Sequence, residues 1–184
     1  MSGHSKWSTI KRDKAVNDSK RSKIFSKLSR VITLAAKGGG DDPDANPRLR
    51  LALEKAREAR MPKDNIEKAI DKGMGRGGSE NFEEITYEGY GPNGVAFMVL
   101  TVTDNRNRTV SELRSIFSRA GGSLGTAGSA AYIFTPDPNT PQFYIDIDDS
   151  AVVQSLENLY TALEDHDDVQ EIYSNFRIPD SEGQ

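Results

Sequence analysis

The hydrophobic pattern changes its period once, across the glycine-rich stretch "GMGRGGSEN" at residues 73–81, and a chain that does this folds as two differently built units. Before it, the apolar positions keep only a helical period. Ile24, Phe25, Leu28, Val31, Ile32 and Ala35 fall on one side of a helix beginning near Asp18, and Gly38, Gly39 and Gly40 stop it. "DDPDANPRLRLALEKAREARMP" predicts a second helix, with Asn46 as N-cap, Pro47 in its first turn and Pro62 beyond its end. "PKDNIEKAIDKG" predicts a short third helix closed by Gly73.

After the stretch, strand patterns alternate with helices. "EEITYEGYGPNGVAFMVLTVT" predicts two strands around a turn at residues 91–94. A helix over 109–119 follows, with Thr109 and Glu112 at capping-box spacing. "SAAYIF" and "QFYIDID" are strand-like, a helix is expected over 150–164, and "VQEIYSNF" is a final strand. The expected fold is α+β: an N-terminal three-helix domain, then an α/β sandwich of one sheet covered by two helices. The expected division is a basic extended arm (1–17), a helical domain (18–73), a linker (74–81), a sheet domain (82–178) and a frayed tail (179–184).

Charge divides along the same line. The chain carries net charge −4, yet residues 1–40 carry +8 and residues 81–184 carry −12. Such asymmetry points to nucleic acid or another anionic partner. The candidate binding residues are Lys6, Trp7, Lys11, Arg12, Lys14, Lys20, Arg21, Lys23, Lys27 and Arg30. The lysines and arginines would neutralise phosphates, and Trp7, the only tryptophan, can stack on an unpaired base. The alternatives are a solvated helix face with Trp7 docked on the helical core, or an arm folded onto the acidic domain. A membrane surface fits less well, because the apolar face is needed for packing.

A second candidate is "TVTDNRNRTV". Arg106 and Arg108, with Asn105 and Asn107, are expected in a loop before a helix N-terminus, where free backbone N–H groups favour an anion or partner. Ordinary turn chemistry explains the same residues equally well. From a loop, replacement of both arginines by alanine is expected to spare stability. In "YEGYGPNG", Tyr87, Glu88 and Tyr90 could form a recognition edge, though a simple turn with sheet-covering tyrosines is favoured.

Catalytic readings fail. There is no cysteine, and two histidines, His4 and His166, assemble neither a triad nor a His-based metal site. Gly73, Gly75 and Gly78 match a dinucleotide fingerprint in letters but follow a helix instead of a strand. Asp146, Asp148, Asp149, Asp165, Asp167 and Asp168 read as a solvated rim with helix caps rather than a cation site. No enzyme, cofactor or metal is expected. No apolar run approaches membrane-spanning length, a start charged from Lys6 onward is not expected to be a secretory signal, and the lack of cysteine fits the cytoplasm.

Six segments in order, "SGHSKWSTIKRDKAVNDSKRSKIFSKL", "GGDDPDANPRLRLALEKAREARMPKDNIEKAIDKG", "ITYEGYGPNGVA", "TDNRNRTVSELR", "GGSLGTAGSAAYIF" and "LEDHDDVQEIYSNF", closely resemble the YebC/PmpR family. Its mitochondrial relatives are translational activators of cytochrome c oxidase. The resemblance implies a helical N-terminal domain followed by α/β domains, no enzymatic activity, and a cytoplasmic regulator of gene expression. Members are labelled transcriptional regulators that bind DNA, while others resemble ribosome-associated translation factors. The family's basic motif falls on Lys6, Trp7, Lys11, Lys14, Lys20, Arg21 and Lys23. One departure is clear: longer members insert a further domain after "YIF", where this chain has residues 135–142.

Three readings follow: DNA, ribosomal RNA with possible ribosome association, or a protein adaptor working through the acidic domain. The lysine-rich face lacks the Arg, Asn and Gln pattern that reads base edges, which tilts the physical reading towards structured RNA. Removal of residues 1–17 separates nucleic-acid binding from an adaptor role. The sequence leaves the oligomeric state open.

Overall fold

A computed structural model describes residues 18–78 and 80–179. Within them the chain forms two compact units. One comprises residues 18–84 with 102–106, the other 85–101 with 107–179.

The first unit holds α1 (Asp18–Gly39), α2 (Pro47–Glu58) and α3 (Lys63–Gly73). Their apolar faces meet in a core of Ile32, Ala35, Leu49, Ala52, Ala56, Met61 and Ala69. Small residues let the helices approach closely. Asn46 sits at the bend between α1 and α2 and is 4% exposed. Its side-chain oxygen accepts from Leu49 N at 3.0 Å to cap α2, while its amide donates to Ala35 O (2.9 Å) and Gly40 O (2.8 Å). Ile24 departs from the expected core face and is 40% exposed.

Gly73 is a packing residue. A Cβ there would lie 2.4 Å from Thr33 O and 2.7 Å from the Ala36 Cβ, so only glycine lets the end of α3 rest on α1. Gly73→Ala is expected to cost about 1–3 kcal/mol through overpacking. A lowered urea midpoint with unchanged slope would register it.

The second unit contains most of β1 (Glu83–Tyr90) and β2 (Ala96–Thr103), then α4 (Arg106–Arg119), β3 (Ser123–Leu124), β4 (Ile145–Asp146), α5 (Ser150–Glu164), β5 (Val169–Ser174) and β6 (Phe176–Arg177). The main sheet has the order β3-β1-β2-β5, with β3 antiparallel to β1 and β5 antiparallel to β2. β4 and β6 form a separate parallel pair. Residues alternate along β2: Phe97 and Val99 pack with Leu113 and Phe117 of α4 and Leu156, Leu159 and Leu163 of α5. Ala96 and Met98 face the other way, onto Ala130, Ile133 and Phe134. The fold is α+β, and both sheet faces are covered.

Four local expectations are corrected. "SAAYIF" is a 3-10 turn (Ala131–Phe134) instead of a strand, because the N–H groups of Gly128, Ala130 and Ala131 are gathered by one side chain, that of Glu88. "QFYIDID" pairs over only two residues. "VQEIYSNF" breaks at buried Asn175, whose side-chain oxygen accepts from Ala96 N at 2.8 Å. α4 begins at Arg106, so Thr109 lies inside the helix and does not cap it.

Candidate nucleic-acid interface

Lys20, Lys23, Lys27 and Arg30 recur along α1 at i, i+3, i+7 and i+10, which aligns them in one row about 15 Å long. Lys20 and Arg21 are exposed, and Lys23 and Lys27 are half-buried, their long stems lying along the helix. Arg30 has another task. Its guanidinium stands 5.5 Å from the centroid of the Phe82 ring and donates to Val102 O at 3.2 Å. Lys37 likewise reaches Asn81 Oδ1 at 3.2 Å. Lys20, Lys23 and Lys27 make up the lysine part of the row, with Arg21 beside it. The candidates Lys6, Trp7, Lys11, Arg12 and Lys14 lie outside the described residues.

The "TDNRNRT" candidate is built differently from a loop anion site. Arg106, Asn107 and Arg108 form the first turn of α4, with Asn105 just before it, its N–H donating to Thr103 Oγ1 at 2.9 Å. Arg106 pairs with Glu83 at 3.0 Å. Arg108 Nη2 contacts both oxygens of Asp168, at 3.1 and 3.0 Å, and Thr109 Oγ1 donates to the same carboxylate at 2.7 Å. Asp168 is 1% exposed, so this pair ties α4 to the start of β5. The two arginines consequently differ. Arg106→Ala is expected to change stability by less than about 0.5 kcal/mol, as an exposed pair. Arg108→Ala takes a guanidinium away from a carboxylate that is 1% exposed, and should cost about 2–3 kcal/mol. Separate thermal melts of the two single variants check this.

Among the described residues, Glu112, His166 and Asp168 bring three potential metal donors within 4.8 Å of one another. The hydrogen bonds oppose a metal. Asp168 N–H donates to His166 Nδ1 at 3.1 Å, so Nδ1 holds no proton and Nε2–H faces Glu112 Oε2 at 2.7 Å. A metal on Nε2 would force the proton onto Nδ1, against that amide hydrogen. Other acids of the expected rim are also in structural use. Asp146 pairs bidentately with Arg177 at 2.6 and 2.9 Å, and Asp149 caps α5 by accepting from Ala151 N at 2.8 Å.

On the hairpin, Glu88 is buried at 6% exposure, accepting from Gly128 N (2.8 Å), Ala130 N (2.6 Å) and Ala131 N (2.8 Å). Burial alone would raise its pKa, but these three donors outweigh burial and hold it below the ordinary value of 4.5. Tyr90 Oη donates to Ser129 O at 2.6 Å on the same segment. Glu88 and Tyr90 anchor the fold here; neither forms an outward recognition edge. Nothing in the local sequence around Glu88 announces that role, since its partners lie some 40 residues later.

A three-helix unit carrying a lysine row, followed by an acidic α+β sheet unit, defines a class of two-part proteins whose net positive charge lies at the N-terminal end. Two family descriptions match in sequence: the TACO1/YebC protein N-terminal domain over residues 5–76, and the TACO1/YebC second and third domain over residues 82–137. A protein named "Probable transcriptional regulatory protein" from Rubrobacter xylanophilus is 43% identical, the match covering 97% of this chain and 96% of the relative. One of the same name from Dictyoglomus thermophilum is 42% identical over 98% and 97%. The crystal structure of a conserved hypothetical protein, Aq1575 from Aquifex aeolicus, is 35% identical and superposes with a TM-score of 0.81, covering 91% of this chain and 94% of its own. The chain belongs to the TACO1/YebC family. Its alignment with the Rubrobacter protein runs to 241 positions, beyond the 184 residues here, so that relative carries segments this chain lacks. Among the described residues, no helix is long and apolar enough to cross a membrane.

Proposed function

We propose that this chain is a non-enzymatic, cytoplasmic regulator of gene expression that grips nucleic-acid backbone with its basic N-terminal end. The carrying observation is the row Lys20, Lys23 and Lys27 on α1, continuing in sequence from the lysine-rich segment 1–17. Lysine heads on a helix neutralise phosphates without selecting bases, which suits structured RNA, including ribosomal RNA. A DNA reading draws its support from the name the relatives carry, "Probable transcriptional regulatory protein". Residues 135–142 are taken to stand where longer relatives insert a further domain, and the family match ending at residue 137 supports this. The acidic sheet unit remains the natural surface for a protein adaptor role.

Crosslinking in living cells followed by sequencing of the attached nucleic acid tests the proposal. Ribosomal RNA recovered at a few discrete positions supports a translation factor, and promoter DNA supports a transcriptional regulator. Recovery of neither, with a protein partner retained after removal of residues 1–17, would leave the adaptor reading standing.

A further inference from the structure

The side of α1 next to the lysine row carries a second row, of hydroxyls. Ser22, Ser26 and Ser29 recur at i, i+4 and i+7 and line one wall of an open groove of about 410 Å³ between α1 and α3. Arg21 and Phe25 of α1 and Asn65 of α3 complete it. Arg21, Ser22 and Ser26 are exposed, while Ser29, Phe25 and Asn65 are half-buried, so the groove has a cationic lip, a polar wall and an apolar floor. Asp18 stands at one end and carries the same charge as a phosphate, which assigns phosphate contacts to Arg21 and beyond.

We propose that this groove seats one strand of RNA, the phosphate at Arg21, the ribose along the serine row and a base or sugar face against Phe25. The proposal rests on the reading that the lysine row holds nucleic acid, and adds how RNA is told from DNA. Lysine heads only donate hydrogen bonds and meet phosphates that both polymers share. Serine hydroxyls and the Asn65 amide both donate and accept, which matches the 2′-hydroxyl, itself a donor and an acceptor. A half-buried aromatic ring supplies sequence-tolerant contact with a base. Charge complementarity places the strand here: Arg21 lines the groove itself, and the lysine row occupies the adjacent face of the same helix.

The test uses the full chain and two fluorescent 20-nucleotide single strands of one sequence, RNA and DNA, followed by anisotropy. Two triple variants are compared, S22A/S26A/S29A and K20Q/K23Q/K27Q. Serine-to-alanine changes raise helix propensity, so α1 stays formed, and a thermal melt confirms it. The serine variant is expected to lose RNA affinity on the order of tenfold, with DNA affinity and salt dependence unchanged. The lysine variant should weaken both ligands alike and flatten the salt slope by about 2, at about 0.7 per phosphate contact. Wild-type RNA affinity in the serine variant, or an equal loss for RNA and DNA, overturns the groove. An unaffected lysine variant overturns the lysine-row reading while leaving the groove's result standing on its own.

Discussion

Reversing Lys20, Lys23 and Lys27 to glutamate is expected to weaken nucleic-acid binding by at least about a hundredfold at moderate salt. Each reversal removes a phosphate neutraliser and adds a charge that repels the same phosphate. For a binder with several phosphate contacts, a few lost contacts move affinity by orders of magnitude. Lysine and glutamate have similar helix propensities and the three positions lie off the core of Ile32, Ala35 and Leu49, so a thermal melt of the variant separates lost binding from a lost fold. The measurement is affinity at several salt concentrations. A parallel shift without a change in slope would mean that these lysines are not at the phosphates. Unchanged affinity would move the contact elsewhere and strengthen the adaptor reading.

The helices were legible because their information is local. Asn46 followed by Pro47 marks a helix start by chemistry contained in two residues, and the apolar spacing over 150–164 marks α5 to the residue. What misled was side chains acting at a distance. Glu88 takes backbone donors about 40 residues away, so "SAAYIF", with every appearance of a strand, becomes a turn. Thr109 has the spacing of a cap, yet its hydroxyl is claimed by Asp168, 59 residues later. Arg30 fits the basic row by spacing, and only the fold reveals its hold on Phe82 and Val102. The same asymmetry governs the site. The lysine row can be read from the spacing of one helix, whereas the groove beside it exists only because α3 brings Asn65 against α1.

Glu88→Ala is expected to be among the most damaging single changes, costing about 3 kcal/mol or more. It strips the acceptor from three backbone N–H groups, of which that of Ala130 is fully buried, and each unsatisfied donor costs about 1–3 kcal/mol. Glutamine does not rescue it. One carboxylate oxygen serves Gly128 and the other serves both Ala130 and Ala131, so either orientation of an amide turns an NH₂ towards a donor. The pH dependence separates this clamp from simple packing. Glu88 has a folded-state pKa below its unfolded one, so its ionised form contributes stability that is full above the ordinary value near 4.5 and is lost as pH falls through the folded value. The gap in unfolding free energy between wild type and Glu88→Gln should therefore be constant at neutral pH and narrow only below about pH 4.5. A gap independent of pH would mean that the side chain acts by volume alone. Because the clamp sets the segment 128–134 on the sheet face opposite the two helices, its loss should also expose Phe134 and Ile133, which urea slopes will report as a more open native state.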